Sequence, residues 1–268
     1  MGGGGQPIDS TRTDARGVYA LTVRHPDSTS IYLVASLRAG IAYVSEPIRG
    51  AGQGPTASLR PLYVYDTSST GPAVRIARRL VTVARPKKDG TRDVLELVEL
   101  VNPGPTTRVA TDTLRPTWAG SIPPVAIQFR VGQGDVSPQA VARRSDSVAV
   151  YGPLPPRERK QLSYTYVLPA TVRSVSLPID EGTEEVDLLL EDTAAVVTTP
   201  HLDSLPVEDI AGRRFARYRT PPLAAGTALA ITFPAPAFGV EALIPLIVGL
   251  AALALAVGFV VAVRRGRR

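Results

Sequence analysis

Two short stretches bring together the residue types of a hydrolytic triad, His25-Pro26-Asp27-Ser28 and His201-Leu202-Asp203-Ser204. Triad chemistry needs nucleophile, base and orienting carboxylate to converge from separate elements, with the serine on a strained turn beside an oxyanion hole. Here each set is contiguous and lies among turn formers, and no Gly-x-Ser-x-Gly occurs, so both read as surface turns. Asp180, Glu181, Glu184, Glu185 and Asp187 form a second cluster. Several oxygen ligands from one loop suit a hard cation such as Ca²⁺. The Asp-x-Asp-x-Asp-Gly spacing is missing, however, and Glu185 and Asp187 sit in an alternating strand pattern, which reads as a solvated acidic segment. As a glycosidase pair the cluster lacks a sugar-lined cleft, and the chain has one tryptophan. Gly50-Ala51-Gly52-Gln53-Gly54 and Gly132-Gln133-Gly134 are followed by no Gly-Lys-Ser/Thr and open no helix, so they read as loops rather than phosphate cradles. The absence of cysteine excludes disulfides, thiolate metal sites and Cys nucleophiles, and two histidines argue against a multi-His metal centre. The expectation is a chain with no catalytic residue, no cofactor, no metal and no small-molecule substrate.

What remains is contact chemistry. Arg75, Arg78, Arg79, Arg85, Lys87 and Lys88 form a basic run that could meet an acidic partner or anionic lipid heads, or be a solvated sheet face. Trp118, between Pro116 and Gly120, reads as core by default, or as an interface anchor or a membrane-surface residue. Arg75, Arg78, Arg79 and Trp118 are therefore the expected partner contacts, with a sheet edge as a further one. Nucleic acid is not an expected partner. The net charge is +6, but Arg264, Arg265, Arg267 and Arg268 lie at the extreme C-terminus, leaving twenty-six basic against twenty-four acidic residues elsewhere, and aromatics are 6%.

The elements that must position these residues read as strands. Gly and Pro number 23 and 25, well above average usage, and imply many short elements joined by turns. Period-two patterns occur at residues 18–23, 31–37, 41–45, 62–66, 74–84, 94–101, 107–110, 125–131 and 147–151. Pro86-Lys87-Lys88-Asp89-Gly90 reads as a hairpin turn between two of them. Leu162, Tyr164, Tyr166 and Leu168 should share one sheet face, as should Val186, Leu188 and Leu190, and Leu229, Ile231 and Phe233. No long amphipathic helix occurs before residue 240. The fold class expected is all-β: two β-sandwich domains, immunoglobulin-like or transthyretin-like, followed by one C-terminal transmembrane helix.

That helix is the strongest signal in the chain. Residues 242–263 are 22 positions without a charge, about 33 Å of helix at 1.5 Å per residue, enough for a ~30 Å hydrocarbon core. Pro245 falls in its first turn, where the missing N–H costs least. Arg264, Arg265, Arg267 and Arg268 anchor its C-terminal end and Glu241 precedes it, so the positive-inside rule places the tail in the cytoplasm and the rest outside. The expected location is the bacterial inner membrane, single-pass, with the bulk of the chain periplasmic. Residues 1–6 show no export signal, which leads us to expect a further upstream segment. Gly249, Ala252 and Ala256 put small residues on one helix face, suited to packing on another membrane helix. Pro234 and Pro236 stiffen a short tether to the bilayer.

Thr13-Asp14-Ala15-Arg16-Gly17-Val18-Tyr19 resembles the Thr-Asp-x-x-Gly-x-Tyr/Phe hairpin of carboxypeptidase regulatory-like domains, small transthyretin-like sandwiches. Residues 40–48 and 63–67 resemble the closing part of bacterial versions, and the resemblance covers about residues 8–68. It implies that Asp14 and Gly17 shape a turn and that Tyr19 enters a core, with the first strands of such a domain absent. Residues 72–236 resemble the β-rich region that follows such domains in membrane-anchored bacterial proteins, through Glu99-Leu100-Val101-Asn102-Pro103-Gly104, Pro153-Leu154-Pro155-Pro156-Arg157-Glu158 and Gly212-Arg213-Arg214-Phe215. The organisation expected is a regulatory-like sandwich at 1–70, a second sandwich region at 71–236, and linker, transmembrane helix and basic tail at 237–268. The resemblance implies a non-enzymatic scaffold in the lipid bilayer, an accessory subunit of an integral membrane protein complex. An energy-transducing assembly such as a photosynthetic reaction centre with its antenna, or cytochrome c machinery, is the kind of complex implied. The alternative is a cell-envelope carbohydrate- or polymer-binding module, which would need exposed aromatic platforms. Tyr63, Tyr65, Tyr164 and Tyr166 are the tyrosines available, and their alternation points to burial.

Overall fold

The computed structural model describes residues 6–50, 56–180, 182–199 and 202–235. The expected membrane span, its packing face Gly249, Ala252 and Ala256, the terminal arginines, Glu181 and His201 all lie outside the described residues. Among the described residues the structure is all-β, apart from one 3₁₀ turn at Pro138–Ala140, and no helix is long and apolar enough to cross a membrane.

The chain opens with β1 (Ile31–Tyr32), β2 (Ala35–Arg38), β3 (Ile41–Val44), β4 (Ile48–Arg49) and β5 (Thr67–Ser68). It continues with β6 (Arg75–Val83), β7 (Arg92–Val101), β8 (Thr107–Arg108), β9 (Trp118–Ser121), β10 (Ile127–Val131), β11 (Val141–Arg144) and β12 (Ser147–Val150). The last group is β13 (Arg159–Leu168), β14 (Ser174–Ile179), β15 (Thr183–Leu190), β16 (Val196–Val197), β17 (Asp203–Ile210), β18 (Arg213–Thr220) and β19 (Thr227–Thr232).

A seven-stranded sheet, ordered β10-β13-β7-β6-β15-β18-β17, forms one layer. All its pairings are antiparallel except β6 with β15. The β6–β7 hairpin closes where Pro86–Gly90 predicts it: Lys87 N–H donates to the Thr91 carbonyl at 2.8 Å, and Gly90 takes φ +80°, a region open to glycine. The inner face carries Val81 and Val83 of β6, Val94 and Val98 of β7, Leu162, Tyr164 and Tyr166 of β13, and Val186, Leu188 and Leu190 of β15, all buried. Period two puts these on one side because successive side chains alternate across the sheet. Two three-stranded sheets, β11-β12-β9 and β14-β19-β16, form the opposing layer and contribute Trp118, Val148, Val150, Leu177, Ile179, Leu229 and Ile231. These residues belong to one continuous core running in sequence from Val74 to Phe233, the interdigitated inner face of a β-sandwich.

Both edges of the large sheet are blunted. β17 carries Pro206 and a register shift between Leu205 and Glu208, and β10 has a shift between Ile127 and Arg130 with Gln128 at φ +52°. Such irregularities discourage strand addition. The glycines of Gly132-Gln133-Gly134 serve close approach of this edge segment to β13: a Cβ on Gly134 would lie 2.5 Å from the Gln161 carbonyl oxygen.

Residues 6–66 are built differently. β1 pairs with β4 and β2 with β3, as separate two-stranded ribbons. Residues 18–23 and 62–66, expected as strands, are not: they alternate in polarity but have no neighbouring strand among the described residues with which to form a ladder. Among the described residues, Tyr43 is the one buried hydrophobic side chain before Val74, whereas nine of the fifteen exposed large hydrophobics lie between Ile8 and Val64. The segment is joined to the sandwich by parallel pairing of β5 with β8.

Candidate functional site

The basic run and the acidic cluster, read separately in sequence, meet in the fold. The parallel register of β6 and β15 sets Arg78 opposite Glu185 on the outer face of the large sheet. Arg78 Nη2 lies 2.6 Å from Asp187 Oδ2 and its Nε 3.3 Å from Glu185 Oε1. Arg219 Nε of β18 reaches Asp187 Oδ1 at 3.0 Å, and Arg217 bridges Asp187 to Glu208. The Asp187 side chain is 1% exposed. Burial would raise its carboxyl, but hydrogen bonds from Arg219 and Arg78 outweigh that and hold it down at about 2. Beside this group Glu191 accepts from Arg213 Nε at 2.8 Å and from the Arg85 backbone N–H at 2.9 Å. The Arg213 bonds, acting against burial, hold its carboxyl at about 2. Lys87 pairs with Asp93 at 2.6 Å, and Asp180 accepts from Ser121 Oγ at 2.8 Å. Glu185 and Asp187 are thus committed to arginines and Asp180 to Ser121, while Glu184 is exposed, and most of the basic run is committed to carboxylates. Arg75 and Lys88 have no ion pair among the described residues.

Two of the expected partner contacts lie inside. Trp118 is 6% exposed and Arg79 is 3% exposed, so neither side chain is offered to a partner. The reason for Arg79 is strand alternation, which turns Arg78 outward and sets Arg79 on the inner face with Val81 and Val83. Arg79 Nε donates to Glu96 Oε2 at 2.8 Å, and Nη1 crosses to the opposing layer to reach the Pro178 carbonyl at 2.7 Å. Tyr164 and Tyr166 donate their hydroxyls to the two Glu96 oxygens at 3.0 and 2.8 Å. Burial, reinforced by the Glu96 charge, pushes both phenols well above their ordinary range. Burial opposes charge on Arg79, yet Glu96 and the tyrosines raise it overall. Glu96 is missed by a hydrophobicity reading because Val94-Leu95-Glu96-Leu97-Val98 looks like an apolar strand with one charged position. The available signal is parity: Glu96 shares the face of Val94 and Val98.

A concavity lies at the junction of the N-terminal ribbons and the loop before β13. It encloses about 660 Å³. Tyr43 forms its floor, with its hydroxyl 2.7 Å from Thr107 Oγ1 and 3.1 Å from the Tyr65 carbonyl. The Tyr65 ring is tilted against Tyr43 with centroids 6.1 Å apart, and Tyr63 stacks on Tyr65 at 6.5 Å and 21°. Tyr63 is 59% exposed, so its alternation with Tyr65 does not bury it. Arg60 Nη1 pairs with Glu46 at 2.8 Å on the lining, and Arg157 and Glu158 supply the opposite side.

The first triad-like stretch is a turn, but the second, expected as a surface turn, is not: its Asp203 and Ser204 open strand β17, paired with Arg219 and Tyr218 of β18. Asp27 accepts from the Thr29 N–H at 2.8 Å and from the Ser30 hydroxyl at 3.0 Å, which commits its carboxylate to its own turn. Asp14 Oδ1 accepts from Arg16 and Val18 N–H, both at 2.8 Å, and Gly17 takes φ +81°, while Tyr19 is only half-buried.

No family model and no curated protein matches this chain. Among solved structures it is similar to an M1 zinc metallopeptidase from Deinococcus radiodurans, at 10% identity and TM-score 0.40 over 60% of this chain and 42% of that one. A mutant of that metallopeptidase bound to a Tyr-Ser-Ala substrate gives 10% identity and TM-score 0.39, over 63% and 46%. The chain spans less than half the length of these structures, and likeness this slight carries no argument about fold or chemistry.

Proposed function

We propose that this chain is a non-enzymatic, membrane-anchored periplasmic scaffold, an accessory subunit that docks on and stabilises an integral membrane protein complex. One observation carries the reading: residues 6–66 expose Ile8, Val18, Ile31, Leu33 and Leu37, which no other described residue covers. Concentrated exposed apolar surface marks an interaction site. The 22-residue uncharged run at 242–263 supports a single bilayer span in a bacterial inner membrane, with Arg264, Arg265, Arg267 and Arg268 at the cytoplasmic side and Gly249, Ala252 and Ala256 meeting a partner helix. Residues 1–70 are on this reading a carboxypeptidase regulatory-like module, supported by the Asp14–Gly17 turn, and 71–236 a second sandwich. An energy-transducing complex is the partner we favour. Gentle solubilisation followed by mass spectrometry of co-purifying proteins tests the proposal: a membrane complex should travel with the chain, and a lone monomer refutes it. Protease added to spheroplasts should digest residues 6–235, and their protection refutes the topology.

A second reading, a binding module for a cell-envelope polymer, is favoured by a different observation. The Tyr63–Tyr65 stack is an exposed aromatic platform at the mouth of a groove.

A further inference from the structure

We infer that the tyrosine-walled groove binds an anionic glycan, with Arg157 as the residue that selects the carboxylate-bearing sugar. The inference rests on the second reading above and names its ligand class. Tyr43, Tyr65 and Tyr63 step outward from the buried end of the groove to solvent, each ring in contact with the next. The hydrogen bonds of Tyr43 to Thr107 and to the Tyr65 carbonyl fix the inner end of that series. A Tyr face is electron-rich and attracts the weakly positive C–H edges of a pyranose ring.

The polar groups narrow the choice. The hydroxyls of Tyr63 and Tyr65 make no hydrogen bond among the described residues, so both are free to meet sugar hydroxyls. Arg60 is neutralised by Glu46, and Glu158 is held by Lys160 at 2.7 Å. Arg157 has no carboxylate partner among the described residues, and it is exposed on the groove wall. Arg157 is therefore the lining cation left without an ion pair among the described residues, a planar donor fork suited to a carboxylate. A neutral sugar or an uncharged proline-rich peptide leaves that fork unused. The volume of about 660 Å³ falls within the ~300–1,000 Å³ of ligand clefts.

The test is isothermal titration of the full chain in mild detergent with three probes: an oligogalacturonate, a neutral malto-oligosaccharide of equal length, and oligoproline. The oligogalacturonate should bind most tightly, and its affinity should fall as salt rises. Arg157→Gln should lower that affinity about tenfold and flatten the salt dependence. Tyr63→Ala should weaken both sugars by roughly three- to tenfold. Both side chains are exposed, and unchanged melting temperatures would show that the variants fold. Equal binding of the two sugars, insensitive to Arg157→Gln, overturns the anionic assignment while leaving the polymer reading standing. Binding of neither sugar overturns both, and binding of oligoproline alone assigns the groove to extended peptides instead.

Discussion

Replacing Glu96 by leucine should be among the most damaging single changes available to this sandwich. Glu96 is fully buried and receives three hydrogen bonds, from Arg79, Tyr164 and Tyr166. Its removal strands the Arg79 guanidinium between the layers, and breaking a buried pair costs about 3–5 kcal/mol. Two buried phenol hydroxyls also lose their acceptor, each worth about 1–3 kcal/mol. The sum is comparable with the whole stability of a domain, about 5–15 kcal/mol. Arg79→Met alone leaves Glu96 with both tyrosine donors and should cost about 3 kcal/mol. The double variant Arg79→Met/Glu96→Leu removes both charges together, so it should be less destabilised than the two losses added, by about 3 kcal/mol of coupling. Urea unfolding of the full chain in mild detergent reads this directly. Trp118, the chain's one tryptophan, is buried and lines the same small cavity as Arg79 and Tyr164, so its emission reports on the site. Additivity within about 0.5 kcal/mol, or a Glu96→Leu loss below about 1 kcal/mol, would refute the placement of a charged pair in this core.

Acid should act through the outer face. Asp187 and Glu191 are held at about 2 against ordinary values of 3.8 and 4.5, so their contributions, about 2 and about 3 kcal/mol, are fully present above about pH 5 and are lost as pH falls toward 2. Urea midpoints at pH 7, 4 and 2.5 should decline in that window, and Asp187→Asn should lower the pH 7 value and flatten the decline; an acid-independent midpoint in the unaltered chain contradicts the network. Gly120→Ala would set a Cβ into the Trp118 indole and should cost about 1–3 kcal/mol, visible as a lower melting temperature with altered Trp118 emission. Gly212→Ala has nothing within 4 Å of its added methyl, but the φ of +75° opposes it. It should cost about 1 kcal/mol, read by the same melt, and a loss as large as that of Gly120→Ala would mean that the β17–β18 turn is packed.

Much of the sandwich is legible in alternation alone. Tyr164 and Tyr166, Val186 and Leu188, and Leu229 and Ile231 are buried on the faces their spacing predicts, because a period of two leaves only one way to bury them. The β17–β18 hairpin is not legible: Arg213, Arg214, Arg217 and Arg219 hide its strand character, and it forms because β15 offers Asp187 and Glu191 across the sheet. The ion network fails for the same reason, since its partners lie far apart in sequence and no local pattern couples Arg78 to Asp187. The groove eluded reading because alternation at Tyr63 and Tyr65 implies a strand, and only the absence of a neighbouring strand among the described residues leaves Tyr63 in solvent.

The parallel seam between β6 and β15, the one parallel pairing of the large sheet, has a consequence for how the molecule is made. Arg78 and Asp187 are 109 residues apart, so the seam closes only after β7 to β14 have been synthesised. Until then β6 presents an open edge bearing Val81 and Val83, a surface prone to pair with other chains. Distant pairings of this kind slow folding. A nascent chain stalled before residue 183 would carry that edge unprotected, and a protective binding partner would be needed most during this interval.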